Sequence, residues 1–308
     1  MDKIKIFSPA TVANVSCAFD VLGFALSNVG DEMTFRKIPE KGLKIKMKDN
    51  MHLPNDPRKN VAGVVGLAML KQVMPDFGVE MEITKGIKPG SGIGSSAASA
   101  AGAAFGMNKL LGDIFDLKTL VEFSMVGESL ASGVRHADNV APAVYGGFTL
   151  IRSLNPLDIV QIPSPSNLFV SIVHPLIEVR TRNARKLLKH SVNLRDAVVQ
   201  WGNIAGLISG LFMEDYALIG RSLKDIIVEP VRSILIPLFD ELKDASVGAG
   251  ALGSGISGSG PSVFALSEGH ENAIAVADAM RAVYQNSGID FDVYVSGVNK
   301  NGIEIINS

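Results

Sequence analysis

A loop rich in glycine and serine, running directly into an alanine-rich segment, constrains this chain more than any other feature. Residues 89–96 read Pro-Gly-Ser-Gly-Ile-Gly-Ser-Ser and are followed by Ala-Ala-Ser-Ala-Ala. Glycines let a backbone curl until successive N–H groups converge on one point, and a helix N-terminus attracts phosphate. The pattern therefore predicts a phosphate-binding loop. It is not a Walker A motif, because no lysine follows Gly94, and a flexible linker is disfavoured because an apolar helix follows directly.

Size, charge and cysteine content narrow the class of protein. The 308 residues, 47% of them hydrophobic, predict two domains of ordinary size with a large core. A net charge of −2 argues against a nucleic-acid partner and against a polybasic membrane contact. The single cysteine, Cys17, favours a reducing compartment. No segment is typical of a signal peptide, and glycines interrupt the uncharged stretch 245–267, so we expect a cytoplasmic protein without a membrane partner.

The spacing of apolar residues predicts strands and helices along the whole chain, and in the second half their order lacks a regular βαβ alternation, which indicates an α+β class there. Strands are predicted at 3–7, 33–38, 43–47, 79–84, 147–151, 168–173, 263–266, 291–296 and 303–306. Helices are predicted at 60–73, 95–111, 117–131, 135–145, 182–189, 194–212, 216–227, 231–242 and 272–284. The proline-containing span 155–165 is the most loop-like, so a boundary is expected there between domains at 1–158 and 159–308.

Four further segments concentrate polar side chains among apolar neighbours. They contain Asn14 and Asp20, then Glu128, His136 and Asp138, then Thr181 and Arg185, and finally Arg232. A buried carboxylate needs a partner, a carboxylate such as that of Glu128 suits Mg²⁺, and arginines bind carboxylates through paired hydrogen bonds. Any one of these segments is equally consistent with turns, helix caps or solvated helix faces. A second glycine loop, residues 253–262, indicates that two loops enclose one ligand.

Several of these segments resemble known motifs and occur in the expected order. Residues 89–98 resemble the central phosphate-binding motif of the GHMP kinases, and residues 8–20 and 255–262 resemble the first and third motifs of that superfamily. Within it, Pro-Ala-Thr-x-Ala-Asn followed by Phe-Asp, Arg-His-Ala-Asp-Asn-Val-Ala-Pro, and Thr-x-x-x-Arg resemble the homoserine kinase family. The resemblance implies a two-domain α+β GHMP kinase fold. Its N-terminal domain would be ribosomal-protein-S5 domain-2-like and its C-terminal domain ferredoxin-like.

The resemblance also implies a reaction and a set of site residues. The reaction is phosphorylation of L-homoserine by ATP to O-phospho-L-homoserine, a step of threonine biosynthesis. ATP would lie near Asn60 and on Pro89, Gly90, Ser91, Gly92, Ile93, Gly94, Ser95 and Ser96. Mg²⁺ would be held by Ser96 and Glu128. The homoserine pocket would consist of Asn14, Asp20, His136, Asp138, Thr181, Arg185, Arg232 and Gly258.

Homoserine is a zwitterion, which allows finer expectations. Asp20 or Asp138 would bind its ammonium, and Arg185 with Arg232 its carboxylate. The first motif has no lysine between Ser8 and Leu22, so the Asp–Lys pair of mevalonate kinase-like members is absent. Asn14 and Asp138 are the candidate catalytic residues. Either Asn14 orients the hydroxyl while the phosphate takes its proton, or Asp138 is the base.

Two other functions stay open at this point. One is a different GHMP small-molecule kinase, acting on mevalonate, shikimate or a sugar. The other is a non-catalytic binding protein or RNA-binding module on the same fold, which the net charge and the intact glycine loops oppose. The apolar helices of the second half are consistent with a homodimer, and core packing explains them equally well.

Overall fold

A computed structural model describes residues 1–49, 51–177, 179, 181–189 and 191–306 and arranges them around two sheets. The first sheet has seven strands: β1 Lys3–Ala13, β2 Leu22–Ile38, β3 Leu43–Met47, β4 Gly78–Thr84, β5 Phe148–Leu154, β6 Leu157–Ile162 and β11 Glu304–Ile305. Their order is β11-β1-β2-β4-β3, and β5 joins the N-terminal end of β2 and carries β6. Four helices pack on this sheet: α1 Val61–Val73, α2 Ser95–Leu111, α3 Leu117–Ser132 and α4 Val140–Tyr145.

The second sheet has four antiparallel strands. They are β7 Leu168–Pro175, β8 Gly253–Ile256, β9 Val263–Glu268 and β10 Phe291–Gly297, in the order β10-β7-β9-β8. The helices of this half are α5 Thr181–Lys186, α6 Leu194–Met213, α7 Tyr216–Ser222, α8 Glu229–Arg232, α9 Phe239–Gly248 and α10 His270–Gln285. Phe24 of the first sheet contacts Phe264 of the second, with ring centroids 6.5 Å apart, inside one shared core. The two sheets therefore hold their loops in a fixed relation.

Glycines allow α2 to lie unusually close to the first sheet. A Cβ built on Gly106 would lie 2.2 Å from the ring of Phe35, and one on Gly102 would lie 2.4 Å from Met33 Sδ. Both neighbours are fully buried. Close packing fixes the position of α2, and therefore of the phosphate loop (residues 89–96) that ends at its N-terminus.

We expect Gly106→Ala to lower the free energy of unfolding by about 1–3 kcal/mol, because overpacking outweighs the better helix propensity of alanine. Gly248 of α9 is the matched control, since a Cβ added there would meet no side chain or neighbouring element of the described residues within 4 Å. Gly248→Ala should leave stability unchanged or raise it by up to about 1 kcal/mol. Urea unfolding measures both. Equal stabilisation by the two alanines would contradict the close-packing account.

The predicted α+β class is confirmed, and several predicted boundaries are wrong. The span 155–165 is not a loop throughout, because β6 forms a hairpin with β5. The helix predicted at 231–242 is split around Pro237, which cannot continue a helix, so α9 begins only at Phe239. The helix predicted at 216–227 ends at Ser222, and the one predicted at 135–145 begins only at Val140. Part of the second glycine loop is strand β8.

The predicted boundary between residues 158 and 159 falls inside β6. Because β6 pairs with β5, we propose that the first domain extends through Ile162, and this boundary stays a prediction. The C-terminal strand β11 returns to pair with β1, so the first sheet contains both ends of the described chain. None of the helices in the described ranges combines the length and apolarity needed to cross a bilayer.

Candidate active site

A cavity of about 540 Å³ lies where the loops of the two sheets meet. The predicted site residues that line it are Asn14, Asp20, Asn60, Pro89, Gly90, Ser91, Gly92, Gly94, Ser95, Ser96, Glu128, His136, Asp138, Arg185, Arg232 and Gly258. Among the predicted site residues whose side chains are described, only Ile93 does not line the cavity. It is fully buried in the core shared by the two sheets and anchors the phosphate loop from behind. The side chain of Thr181 lies outside the described part of the structure.

The phosphate loop requires glycine at three alternate positions. Gly90, Gly92 and Gly94 have φ values of 76°, 82° and 71°, in the left-handed region that favours glycine. A Cβ on Gly92 would lie 2.5 Å from the carbonyl oxygen of Gly260, and one on Gly94 would lie 2.1 Å from Thr11 Oγ1. Gly94 also precedes the first turn of α2, so the loop ends at the positive end of a 17-residue helix.

The second glycine loop holds the phosphate loop in place. Ser262 Oγ donates to the carbonyl oxygen of Ser91 at 2.6 Å, and Ser257 Oγ donates to that of Gly92 at 2.9 Å. The carbonyls of the phosphate loop are thus bound by the second domain. The two glycine loops therefore contact each other and both line the cavity, and their predicted enclosure of one ligand stays a prediction.

A buried ion pair, missed from the sequence, lies beneath the phosphate loop. Lys85 Nζ donates to the carboxylate of Asp31, to Ser99 Oγ at 2.9 Å and to the carbonyl oxygen of Ser95 at 2.8 Å. Ser99 Oγ also donates to Asp31 at 3.0 Å. Since Ser95 and Ser99 both belong to α2, this ion pair fixes the N-terminus of α2 against the first sheet.

Ser96 and Glu128 form the predicted metal-binding pair. The Ser96 hydroxyl is hydrogen-bonded to the buried carboxylate of Glu128, so α2 and α3 bring them into contact. Burial raises the pKa of Glu128, while the Ser96 hydrogen bond and the charge of Lys85 lower it. A carboxylate and a hydroxyl are hard oxygen ligands, and Mg²⁺ is typically held by one or two carboxylates together with substrate phosphates. These residues therefore fit Mg²⁺.

At the opposite end of the cavity, Arg185 pairs with Asp20. Arg185 Nη2 donates to the two oxygens of Asp20 at 2.8 and 3.0 Å and lies 3.3 Å from Nδ1 of His136. Burial, followed by the charge of Arg185, lowers the pKa of His136. The imidazole is therefore neutral near pH 7. Because Nδ1 faces a donor, its proton belongs on Nε2, which is buried and has no hydrogen-bond partner among the described residues.

Both arginines lie against Phe19, which belongs to the Phe-Asp motif but was not among the predicted site residues. The guanidinium carbon of Arg232 is 4.8 Å from the centre of the ring, and that of Arg185 is 5.5 Å from it. Cation–π contact of this kind holds a guanidinium in place without using its hydrogen-bond donors. Phe19 thus presents two positive groups to the same part of the cavity.

Asn14 connects the first motif to the second glycine loop. Its Nδ2 donates to the carbonyl oxygen of Gly258 at 2.6 Å, and its Oδ1 accepts the N–H of Asp20 at 3.0 Å. Gly258 also accepts a hydrogen bond from Arg232 Nη1, at 3.3 Å. Both amide atoms of Asn14 are therefore engaged in shaping the pocket, and its predicted contact with a substrate hydroxyl stays a prediction.

Asp138 is a buried carboxyl group, only 4% exposed, at the centre of the cavity wall. Burial, with smaller contributions from the charges of Asp20 and Glu128, raises its pKa to about 7. Its backbone rests on β2, where a Cβ on Gly23 would lie 1.9 Å from the Asp138 carbonyl oxygen. A carboxyl group that titrates near neutral pH is suited to accept a proton in a reaction.

Asn60 stabilises the part of the cavity wall near which ATP is predicted to lie. Its Oδ1 caps α1 by accepting the N–H of Ala62 at 3.0 Å, and its Nδ2 donates to the carbonyl oxygen of Pro54 at 2.8 Å. Apolar side chains of Met47, Leu53 and Val61 line the cavity beside it. The lining beside Asn60 is therefore mainly apolar, which suits an aromatic ring.

Comparison with known proteins agrees with this geometry. Residues 60–147 match the family described as GHMP kinases N terminal domain, and residues 205–286 match GHMP kinases C terminal. A homoserine kinase from Chlorobium phaeobacteroides is 44% identical over 320 aligned positions, covering 99% of this chain and 100% of the relative. The crystal structure of homoserine kinase from Cytophaga hutchinsonii is 51% identical, with a TM-score of 0.95 and coverage of 99% of this chain and 98% of that one.

A more distant structure supports the fold alone. Lactococcus lactis galactokinase, crystallised with galactose, has a TM-score of 0.75 at 17% identity and covers 99% of this chain and 95% of its own. The predicted GHMP kinase fold and the predicted family are confirmed by these matches. The chain belongs to the homoserine kinase family of the GHMP kinases.

Proposed function

We propose that this protein transfers the γ-phosphoryl group of ATP to the hydroxyl of L-homoserine, giving ADP and O-phospho-L-homoserine for threonine biosynthesis. One observation carries the proposal. A single cavity has a glycine loop on a helix N-terminus at one end and two arginines with two carboxylates at the other. The first arrangement suits a triphosphate, and the second suits a small zwitterion.

The pair of Arg185 and Asp20 supports a zwitterionic acceptor in particular. Its two members carry the charges that complement a carboxylate and an ammonium group. When homoserine binds, its carboxylate pairs with Arg185 and Arg232, and its ammonium group pairs with Asp20. The internal ion pair is thereby exchanged for two intermolecular pairs, so neither charge is left buried and unpaired. Mevalonate and shikimate lack the ammonium group, and a simple sugar lacks both charges.

Three parts of the chain would neutralise the negative charge of the phosphates. The N–H groups of the phosphate loop and the positive end of α2 bind the phosphate oxygens, and Ser96 with Glu128 would hold Mg²⁺. The bound ion would supply a positive charge to the β- and γ-phosphates. Phosphoryl transfer depends chiefly on such positioning, which accounts for a loop without a lysine.

The test is a panel of acceptors assayed for ADP release at equal concentration. We expect L-homoserine to be turned over and D-galactose, mevalonate and shikimate to give no more ADP than buffer. Turnover of one of the others with none of homoserine would replace this proposal with a different GHMP kinase activity. Calorimetric titration with Mg-ATP is the companion measurement, since the absence of binding would favour a non-catalytic protein.

We also propose that the protein works in the cytoplasm, because its single cysteine favours a reducing compartment.

We further propose that two copies associate through α6. Residues 197–213 contain no charged side chain, yet Val198, Trp201 and Phe212 are each more than half exposed. Exposed apolar rows of this kind are typical of interfaces, and a two-fold contact buries the same row on both copies. Light scattering should report a dimer that Trp201→Glu converts to monomer. A monomeric wild-type protein would contradict this.

A further inference from the structure

A second, much smaller cavity lies directly behind the acceptor end of the site. Its volume is about 10 Å³, and its polar lining includes Ser16, Glu229 and Arg232. Arg232 lines both this cavity and the large one, so its guanidinium lies between them. Arg232 is only 3% exposed. Whatever fills the small cavity therefore contacts the inner side of the group proposed to bind the substrate carboxylate.

Three polar atoms from this lining are buried and have no hydrogen-bond partner among the described residues. They are Glu229 Oε2, Arg232 Nε and Ser16 Oγ. Leaving such groups unsatisfied is costly, above all for charged ones. A volume of about 10–15 Å³ is what one water molecule requires, and a buried water typically makes about three hydrogen bonds. The cavity thus offers one water the right space and the right number of partners.

We propose that Glu229 is a positioning residue for Arg232 and acts through one ordered water bound by Glu229 Oε2, Arg232 Nε and Ser16 Oγ. The water accepts the Nε–H of Arg232 and donates to the Glu229 carboxylate. The guanidinium is thereby fixed in rotation, with Nη1 on the Gly258 carbonyl oxygen and its outer edge toward the large cavity. This inference rests on the proposed function, in which Arg232 binds the carboxylate of the substrate.

Glu229 is itself held from outside the site. Its Oε1 accepts a hydrogen bond from Lys243 of α9, which leaves Oε2 to face the small cavity. The nearby Asp225 cannot take this role, because its oxygens accept the N–H groups of Val228 and Glu229 and the amide of Gln200. Asp225 therefore shapes the turn into α8, and Glu229 remains the carboxylate available to the water.

A crystal structure of the wild-type protein tests the water without any substrate. We expect a single density peak within hydrogen-bond distance of Glu229 Oε2 and Arg232 Nε. A dry cavity in a map that shows other buried waters clearly would overturn the proposal. This result does not depend on which acceptor the enzyme uses, so it is separable from failure of the proposed function.

Kinetics test the effect on Arg232. Glu229→Met removes the carboxylate and should raise the KM for homoserine about 10-fold while the KM for ATP stays within about twofold. Glu229→Gln keeps an acceptor oxygen and should restore the KM for homoserine to within about threefold of wild type. Glu241→Met is the matched control, because it removes an exposed carboxylate of α9 that lines neither cavity, and it should leave both KM values within about twofold. A KM for homoserine unchanged in Glu229→Met, or both KM values raised equally, would overturn the proposal.

Discussion

Replacing Asp138 with asparagine is expected to lower kcat about 10²–10⁴-fold, the usual loss when a general base is removed. The carboxyl group is buried, faces the cavity and titrates near pH 7, so both the geometry and the pKa suit acceptance of the hydroxyl proton. Asparagine has the same shape and cannot take a proton. The KM for ATP should stay near the wild-type value, because the phosphate loop is unchanged.

The same pKa predicts how rate and stability depend on pH. Below about pH 7 the carboxyl group is protonated and cannot act as a base, so kcat/KM for homoserine should rise with pH through about 7. The pKa is raised from its ordinary value of 3.8, so this group lowers stability progressively between about pH 4 and pH 7, where the unfolded chain has lost the proton and the native state still holds it. At 1.36 kcal/mol per pKa unit the cost reaches about 4 kcal/mol near pH 7 and stays at that level above it. Asp138→Asn should therefore combine its low kcat with a stability at pH 8 at least equal to that of wild type.

Asn14 provides the comparison that separates the two mechanisms. If Asp138 is the base, Asn14→Ala should raise the KM for homoserine by disturbing Gly258 and the turn at Asp20, with a smaller loss in kcat. If the phosphate takes the proton, Asp138→Asn should keep most of its kcat, and the rise in rate through pH 7 should persist in the variant. That outcome would remove Asp138 from the role of base.

Arg232→Met is expected to raise the KM for homoserine about 100-fold, because it removes a buried partner of the substrate carboxylate. Breaking a buried, hydrogen-bonded charge pair costs about 2–5 kcal/mol, and each 1.4 kcal/mol is a factor of ten. Arg232→Lys should recover only part of this loss, since an ammonium group cannot form the paired contact of a guanidinium. Activity measured over a range of homoserine concentrations gives the KM and kcat separately.

A substrate without the carboxylate makes this test specific. The wild-type enzyme and Arg232→Met should phosphorylate 3-amino-1-propanol, which is homoserine without its carboxylate, with equal and low kcat/KM. Arg281→Met, at an exposed arginine of α10, is the control and should match wild type with both substrates. If Arg232→Met lost activity equally toward both acceptors, Arg232 would have a structural role and no contact with the carboxylate.

Local sequence pattern predicts the bounds of an element correctly where one residue type dominates that element. Helix α2 was predicted with its observed bounds, Ser95–Leu111, because glycine ends the loop before it and small residues continue through it. The pattern failed where pairing between distant segments decides the structure. Strand β6 follows a proline and is short, and only its hairpin with β5 makes it a strand. Similarly, residues 135–139 belong to the helix predicted at 135–145 but are irregular, and they carry His136 and Asp138 to the cavity.

Contacts between distant segments limit the prediction of the candidate site in the same way. The glycine loops and Arg185 can be predicted because their motifs are contiguous in sequence, whereas Arg232 is assigned to the site only through the family resemblance. Lys85 was missed because its partner Asp31 is 54 residues away, and no local pattern marks either as buried. Phe19 belongs to the Phe-Asp motif, but only the fold shows its role, which is to hold both guanidinium groups against its ring. Sequence motifs therefore predicted most of the groups that line the cavity, and the fold shows what holds those groups in place.

A crystal structure with L-homoserine, Mg²⁺ and a non-hydrolysable ATP analogue tests the central claim most directly, because it places both ends of the cavity in one map. We predict the triphosphate on residues 90–96, the metal on Ser96 and Glu128, and the homoserine carboxylate on Arg185 and Arg232. The Arg185–Asp20 pair should be opened, with the ammonium on Asp20 and the hydroxyl between Asp138 and the γ-phosphate. A homoserine carboxylate bound away from both arginines, with the Arg185–Asp20 pair intact, would contradict the account.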